Sequence, residues 1–199
     1  MVDRQKQAKL DAIAQVITDR AVDIELAKTC LNPVPGEGSA NAALMLVGEA
    51  PGAREDKLGR PFVGASGKFL ATMLTSIGLE RKDVFITNIV KFRPPKNRDP
   101  NPSEIKACLP ILYEQVTIIK PKLVVLLGRH ATNVFFPGLK ISETHGEVLK
   151  RSLHQGTQPV FQQMFLPLYH PAAALYNGSM RKILLQDFGK IPQILAIIK

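Results

Sequence analysis

The sequence predicts an α/β fold in which helices cover both faces of a central parallel sheet, a three-layer α/β/α sandwich. Short apolar segments typical of buried strands alternate with longer segments whose apolar residues recur at helical spacing. Such alternation indicates a parallel sheet, because each strand returns to the same edge through a crossover helix. At 199 residues with 45% hydrophobic side chains, the chain fits one globular domain, which we assign to residues 1–199.

The predicted elements follow in order along the chain. Helical spacing of apolar residues predicts one or two helices before residue 27, and a loop rich in proline and glycine at 31–40 leads into the first strand. The four strands of the parallel sheet are predicted at 43–48, 84–90, 122–127 and 166–169. Helices are predicted at 66–77, 103–119, 128–136 and 181–198. Residues 145–168 are expected to form a short hairpin or a variable loop.

The charge balance indicates a polyanionic partner. Lysine and arginine number 26 against 17 acidic residues, a net charge of +9, although charge alone does not name the partner. No apolar stretch approaches the length that spans a bilayer, and no secretory signal precedes the first helix, so we expect no membrane association and a cytoplasmic location. Cys30 and Cys108 lie far apart and are expected to be free thiols. No feature indicates an oligomer, and a monomer is expected.

Polar residues stand where three of the predicted strands end. The run from Gly48 to Phe62 follows the first strand and carries two carboxylates, Glu49 and Glu55, on a glycine-rich turn. Asn88 stands near the end of the second strand, and His170 comes just after the fourth. Because open α/β sheets hold ligands at the carboxyl ends of their strands, this pattern predicts a binding site there.

A glycine-rich segment at 64–68 superficially suggests a nucleotide-binding loop. That motif requires a glycine five residues before Gly67 and a serine or threonine after Lys68, where Phe62 and Phe69 stand instead. A nucleoside triphosphatase is therefore not expected. Ser66 and the amides at the start of the following helix are expected to contact a DNA phosphate.

Three segments, in order, resemble family 4 of the uracil-DNA glycosylases over about residues 24–180. They are the turn Gly-Glu-Ala-Pro-Gly at 48–52, the pair Thr87-Asn88 with the basic, proline-rich loop at 91–102, and the pair His170-Pro171. The resemblance implies a glycosylase that flips uracil out of DNA and hydrolyses its N-glycosidic bond, leaving an abasic site. Uracil-containing DNA is the implied partner.

The resemblance also implies roles for the pocket residues. The Asn88 amide would accept from uracil N3–H and donate to O4, whereas cytosine presents the opposite pattern at both atoms. Phe62 would stack on the flipped base, and His170 would donate to O2 as negative charge gathers on the departing ring. Backbone amides around Ala50 and Gly52 could also hold O2.

The two carboxylates of the turn are the candidates for stabilising positive charge on the sugar and orienting a water. By resemblance Glu49 lies beside the sugar and the water, while Glu55 lines the pocket or helps to position the water. Which of the two is the general base stays open.

Two further segments are expected to contact DNA. The basic loop would hold the backbone through four side chains, Lys91, Arg93, Lys96 and Arg98. After His170, Leu175 or Tyr176 would fill the gap that the flipped base leaves.

The chain departs from the family at the iron–sulfur cluster. Most family 4 enzymes hold a four-iron, four-sulfur cluster with four cysteines. Alignment places Ala21 and Ile24 at the first pair, Phe92 at the third position and only Cys108 at a ligand position. One thiolate cannot replace four, so we expect neither a cluster nor another metal. The three apolar residues are expected to fill the vacated volume.

Two alternatives accompany the leading interpretation of a monofunctional glycosylase. One is an inactive DNA-binding or scaffold homologue that lost turnover with the cluster. The other is a glycosylase with a different deaminated-base preference. The first alternative is disfavoured because a DNA binder needs the basic loop but not the pocket. The pocket residues meant here are all present: Glu49, Glu55, Phe62, Asn88 and His170.

Overall fold

The computed structural model describes residues 3–19, 23–155 and 158–198, with the backbone alone for 154, 155 and 158–160. The strands are β1 (Glu37–Gly38), β2 (Leu44–Gly48), β3 (Phe85–Asn88), β4 (Leu123–Leu127), β5 (Leu149–Gln155) and β6 (Gln158–Leu168). The helices are α1 (Arg4–Thr18), α2 (Glu25–Thr29), α3 (Ala53–Leu58), α4 (Ala65–Ser76), α5 (Pro102–Ile119), α6 (Arg129–Phe135), α7 (Ile141–Thr144), α8 (Ala173–Tyr176), α9 (Gly178–Phe188) and α10 (Ile191–Ile197). Short 3₁₀ turns lie at Arg81–Asp83 and Pro95–Asn97.

The sheet has the strand order β1-β3-β2-β4-β6-β5. Its four inner strands are mutually parallel, which confirms the predicted parallel sheet. The prediction was incomplete at the edges, where β1 pairs antiparallel with β3, and β5 forms an antiparallel hairpin with β6. The hairpin corresponds to the one expected at 145–168. The sheet is therefore mixed, with six strands in the described part of the chain.

Two hydrophobic cores, one on each face of the sheet, create the three layers. Met45 and Val47 of β2 face a core shared with α1, α2, α5 and α6. Leu44 and Leu46 of the same strand face a second core with α4, α8 and α9. Strands β2 and β4 are buried along their whole length, which explains why their sequences are continuous apolar runs rather than alternating ones.

Helix ends follow local chemistry. At the start of α5, the Asn101 and Glu104 side chains form a capping box, so Asn101 caps this helix. The single helix expected at 181–198 is two helices that separate at Gly189 and Lys190, because Pro192, in the first turn of α10, has no N–H to continue the preceding helix. In the part of the chain that the structure describes, no helix is long and apolar enough to cross a membrane.

Strand β2 lies between β3 and β4, so the chain leaves β2 toward one side of the sheet and later returns on the other. Such a reversal opens a crevice at the carboxyl ends of the strands. The segments that follow β2, β3 and β6 all begin at that edge. The fold therefore brings the three predicted polar positions toward one place.

Candidate active site

A cavity of about 350 Å³ lies at the carboxyl ends of β2, β3 and β6. Its lining residues are Ala50, Gly52, Glu55, Phe62, Ser66, Asn88, Asn97, His170 and Ala172. Seven of them are candidate site residues that the sequence singled out. Two were missed: Asn97 and Ala172. Asn97 adopts a left-handed backbone with φ of 54°, which asparagine tolerates better than most residues, and that preference was the available signal.

Asn88, the last residue of β3, lies directly opposite Gly48 of β2 and is 2% exposed. A Cβ atom added at Gly48 would collide with Asn88 Oδ1 and with the ring of Phe62. Glycine at position 48 therefore lets the asparagine amide and the aromatic ring approach the end of the central strand together.

Phe62 has an unfavourable backbone conformation for a residue with a bulky side chain. Its φ is 51°, in the left-handed region, and its side chain is 5% exposed. Two arginine hydrogen bonds hold the loop from one side: Arg81 Nη1 donates to the carbonyl of Phe62 at 3.0 Å, and Nη2 donates to that of Pro61 at 2.6 Å. Glu37 on β1 accepts from Arg81 Nε at 2.9 Å and so fixes the guanidinium.

Glu55 holds the same loop from the other side. Its Oε1 accepts from the backbone amides of Val63 and Gly64, both at 2.8 Å, and the residue is 8% exposed. Bonds from amides to a charged acceptor are stronger than those between neutral groups. Glu55 lines the cavity as expected, and its observed contacts fix the position of Phe62.

His170 enters the cavity two residues after β6 ends. Its Nδ1 accepts from the backbone amide of Ala172 at 3.2 Å, which places the proton of a neutral ring on Nε2. Burial lowers the pKa of His170 to about 4, although the charge of Glu55 acts in the opposite direction. The imidazole ring lies tilted against Phe62, with ring centroids 5.8 Å apart. His170 is therefore a neutral hydrogen-bond donor near neutral pH.

Glu49 lies beside the cavity rather than in its lining. Its side chain is 26% exposed, and Oε2 is 3.9 Å from His130 Nε2, which in turn lies 3.2 Å from Asp99 Oδ2. Burial raises the pKa of Glu49, and the charge of His130 opposes that shift. One atom of each of these three residues lies within 4.8 Å of the others, a spacing that a metal ion could bridge. The same residues form an ordinary acid–histidine cluster without one.

The basic loop does not present four free cations. Lys91 is completely buried, so the prediction that it contacts DNA is wrong. Arg98 forms a bidentate pair with Glu104 at 2.7 and 2.9 Å, and Arg93 donates to Asn97 at 2.8 Å. Lys96 is exposed on the 3₁₀ turn.

Helix α8 follows the His170 segment and ends in exposed side chains. Leu175 is 40% exposed and Tyr176 is 92% exposed. A large aromatic side chain with so little intramolecular packing stands out in a folded protein. Both side chains lie a few residues after Ala172 of the cavity wall.

The positions that align with iron–sulfur ligands do not fit a cluster. Ile24, Phe92 and Cys108 belong to one buried hydrophobic core, and Ala21 lies outside the described residues. Burial raises the pKa of the Cys108 thiol, which disfavours the thiolate form that ligates iron. Cys30, the other cysteine, is also buried, at a position that does not align with a ligand.

Comparison with known proteins agrees with this geometry. Residues 35–189 match the model of the uracil DNA glycosylase superfamily. A type-4 uracil-DNA glycosylase of Sulfurisphaera tokodaii is 52% identical over 82% of this chain and 74% of its own. The type-4 enzymes of Saccharolobus solfataricus and Archaeoglobus fulgidus are 44% and 41% identical, over 94% and 92% of this chain and 87% and 92% of theirs. The chain belongs to the uracil-DNA glycosylase superfamily.

Proposed function

We propose that this protein is a monofunctional uracil-DNA glycosylase that hydrolyses the N-glycosidic bond of uracil in DNA. The observation that carries the proposal is the meeting of three groups in one cavity: the Asn88 amide, the Phe62 ring and the neutral imidazole of His170. An amide reads the edge of a base, a ring stacks on its face, and a neutral donor stabilises the oxygen that gains charge. Together they suit a flipped pyrimidine.

In the proposed reaction, the base leaves its stack and enters the cavity against Phe62. Asn88 accepts from N3–H and donates to O4, an arrangement that cytosine cannot satisfy at either atom. Exclusion of cytosine is essential for a repair enzyme, since cytosine is the ordinary base from which uracil arises by deamination. Discrimination therefore depends on the orientation of one buried amide.

Bond breaking separates uracil N1 from C1′ of the deoxyribose. The electron pair of the bond goes to the uracil ring, where Nε2–H of His170 donates to O2. The sugar gains positive charge, which the carboxylate of Glu49 stabilises while it orients a water molecule. The water oxygen bonds to C1′ while one water proton passes to Glu49. The departing uracil anion takes up a proton from solvent, so the products are free uracil and an abasic site.

We further propose that the reaction needs no iron–sulfur cluster. The aligned positions in the described part of the chain offer two hydrocarbon side chains and one protonated thiol, so no step is assigned to a metal. The proposed DNA contacts are Lys96, Arg93, the Ser66 helix end and the α8 tip. The single-domain organisation, the monomeric state and the cytoplasmic location remain predictions.

Uracil excision should depend on the recognising amide and on the imidazole. We expect wild-type protein to release uracil from a labelled single-stranded oligonucleotide under excess enzyme. Asn88→Ala and His170→Ala should each lower the single-turnover rate by about a hundredfold to a thousandfold, the usual cost of losing a preorganised donor. Asn133→Ala, on the exposed side of α6, is the matched control and should keep the wild-type rate. Absence of cleavage with intact DNA binding would favour the scaffold alternative.

Substitutions of the two carboxylates, Glu49 and Glu55, should affect different steps of the reaction. Glu49→Gln should lower the single-turnover rate with little change in oligonucleotide affinity, because its proposed work is done after binding. Glu55→Gln should instead weaken binding of free uracil and speed amide hydrogen exchange at Val63 and Gly64, whose charged acceptor it removes. Equal exchange rates in Glu55→Gln and wild type would contradict the positioning role.

The pKa of His170 should lie far below that of an ordinary histidine. NMR of ring-labelled protein should show Nε2–H as the neutral tautomer and a midpoint near 4. Because the folded pKa lies below the ordinary value of 6.5, the unfolded chain takes up the proton first as pH falls. The contribution of this group to stability is therefore complete above 6.5 and is lost as pH falls toward 4. A midpoint at or above 6.5 would refute the assignment.

Protein purified without oxygen should contain no stoichiometric iron. We expect no visible iron–sulfur absorbance after reconstitution with iron and sulfide, and unchanged uracil excision with a chelator present throughout. A relative whose chain carries all four cysteine ligands serves as the positive control. Four iron atoms per chain in this protein would overturn the assignment.

A further inference from the structure

The proposed mechanism assigns no role to the buried amine of Lys91. Lys91 is 0% exposed, and its Nζ lies 2.6 Å from Thr87 Oγ1, 2.7 Å from the carbonyl oxygen of Asn88 and 2.8 Å from Gln115 Oε1. Fully buried lysine is rare, because its charge loses hydration unless oxygen atoms replace the water. Here three acceptors match the three protons of an ammonium group.

The acceptors are themselves fixed to other parts of the fold. Thr87 Oγ1 donates to the carbonyl of Pro35 at 3.1 Å, and Gln115 Nε2 donates to the same carbonyl at 2.8 Å. Lys91 therefore joins the end of β3 to helix α5 and to the loop before β1. A network with every member satisfied is rigid, and the loss of one member leaves buried polar atoms unpaired.

Burial and hydrogen bonding act in opposite directions on the protonation of Lys91. Burial lowers the pKa of Lys91 to about 7, and Cys108 on α5 is the titratable neighbour whose charge would oppose that shift. A neutral amine would turn a lone pair toward one of the three oxygens, so the acceptors favour the ammonium form.

The contact to Asn88 is the one that bears on function. Side chains alternate along a strand, so Thr87 points toward α5 while the Asn88 amide lines the cavity. After Asn88 the chain turns, with Ile89 N–H donating to Gly48 at 2.9 Å. Lys91 Nζ donates to the Asn88 carbonyl at this turn and so fixes the peptide group that follows Asn88. The orientation of this peptide group in turn affects the direction of the Asn88 side chain.

We propose that Lys91 is a positioning residue for base recognition: it fixes the backbone of Asn88 so that the amide meets the edge of uracil. This inference rests on the proposed function. It extends that function by assigning the selectivity of the amide to a side chain that never touches the base. The role predicted for Lys91 from its charge alone, a DNA phosphate contact, is replaced by one inside the protein.

The test compares Lys91→Met with wild type. Methionine keeps an unbranched side chain that is one atom shorter, and it removes all three donors. We expect the single-turnover rate on uracil to fall about tenfold to a hundredfold, since a displacement of 1 Å in a reacting group costs about that much. Affinity for free uracil should fall toward that for cytosine in calorimetry, while affinity for the oligonucleotide should stay unchanged.

A double-mutant cycle separates positioning from general destabilisation. If Lys91 acts through Asn88, then Lys91→Met should have no further effect on rate in an Asn88→Ala background. Gln163→Leu is the matched control, because Gln163 is 2% exposed and donates to the Pro121 carbonyl at the opposite end of the sheet. It should keep the wild-type rate and selectivity at temperatures where both variants are folded.

Thr87→Val provides a second variant if Lys91→Met fails to fold. Valine has the shape of threonine and removes one of the three acceptors, so the rate should fall about threefold to tenfold, again only when Asn88 is present. The proposal is overturned if neither variant changes rate or uracil affinity, if the loss persists in the Asn88→Ala background, or if Gln163→Leu causes the same loss.

The outcomes also separate this proposal from the proposed function. If wild type excises uracil and Lys91→Met is equally active, the positioning role is overturned and the glycosylase assignment is unaffected. Wild type that neither excises nor binds uracil overturns the glycosylase assignment and, with it, the role of Lys91 in base recognition.

Discussion

The close approach of three chain segments at Gly48 is the constraint on which the site depends. The residue ends the central strand, opposite Asn88, and neither the asparagine amide nor the Phe62 ring leaves room for a side chain there. Gly67 allows a similar close approach to the backbone of Phe62, since a Cβ atom there would collide with the carbonyl of Phe62. In the proposed function, the Asn88 amide meets the edge of a flat base and the Phe62 ring meets its face, so the two groups are needed together.

The left-handed backbone of Phe62 shows how such closeness is sustained. A non-glycine residue in that conformation costs about 1–3 kcal/mol. Each hydrogen bond to a charged group contributes about 1.5–3 kcal/mol. The loop has four of them, two from Arg81 and two to Glu55, so these bonds together outweigh the strain. The position of the ring is therefore determined by the hydrogen bonds that Arg81 and Glu55 form with the loop backbone.

Sequence reasoning located the site because parallel strands share one carboxyl edge. Three buried strands with polar residues at their ends sufficed to bring Glu55, Asn88 and His170 toward one cavity. The two-residue strand β1 has no period to detect. The assignments made from side-chain type alone fared worse: Lys91 was expected at the surface, and only its tertiary contacts reveal that three oxygens replace its water. Arg81 and Glu37 lie outside every recognised motif.

Apolar packing and hydrogen bonds hold together the region that aligns with the iron–sulfur ligands. Phe92 and Cys108 are completely buried and Ile24 is nearly so, and they pack in one core that unites the N-terminal segment with α5. Beside this core the buried carboxylate of Asp56 accepts from the amides of Leu31 and Asn32 at 2.8 and 3.2 Å.

Asp56 also lies 3.6 Å from Arg93 of the basic loop, so one carboxylate links the N-terminal segment, helix α3 of the active-site turn and the loop proposed to face DNA. A metal cluster would impose such a link through covalent bonds that require iron and reduced thiolates. Packing and hydrogen bonds form as the chain folds and require neither. The contacts of Asp56 thus connect the N-terminal segment with helix α3 and the basic loop.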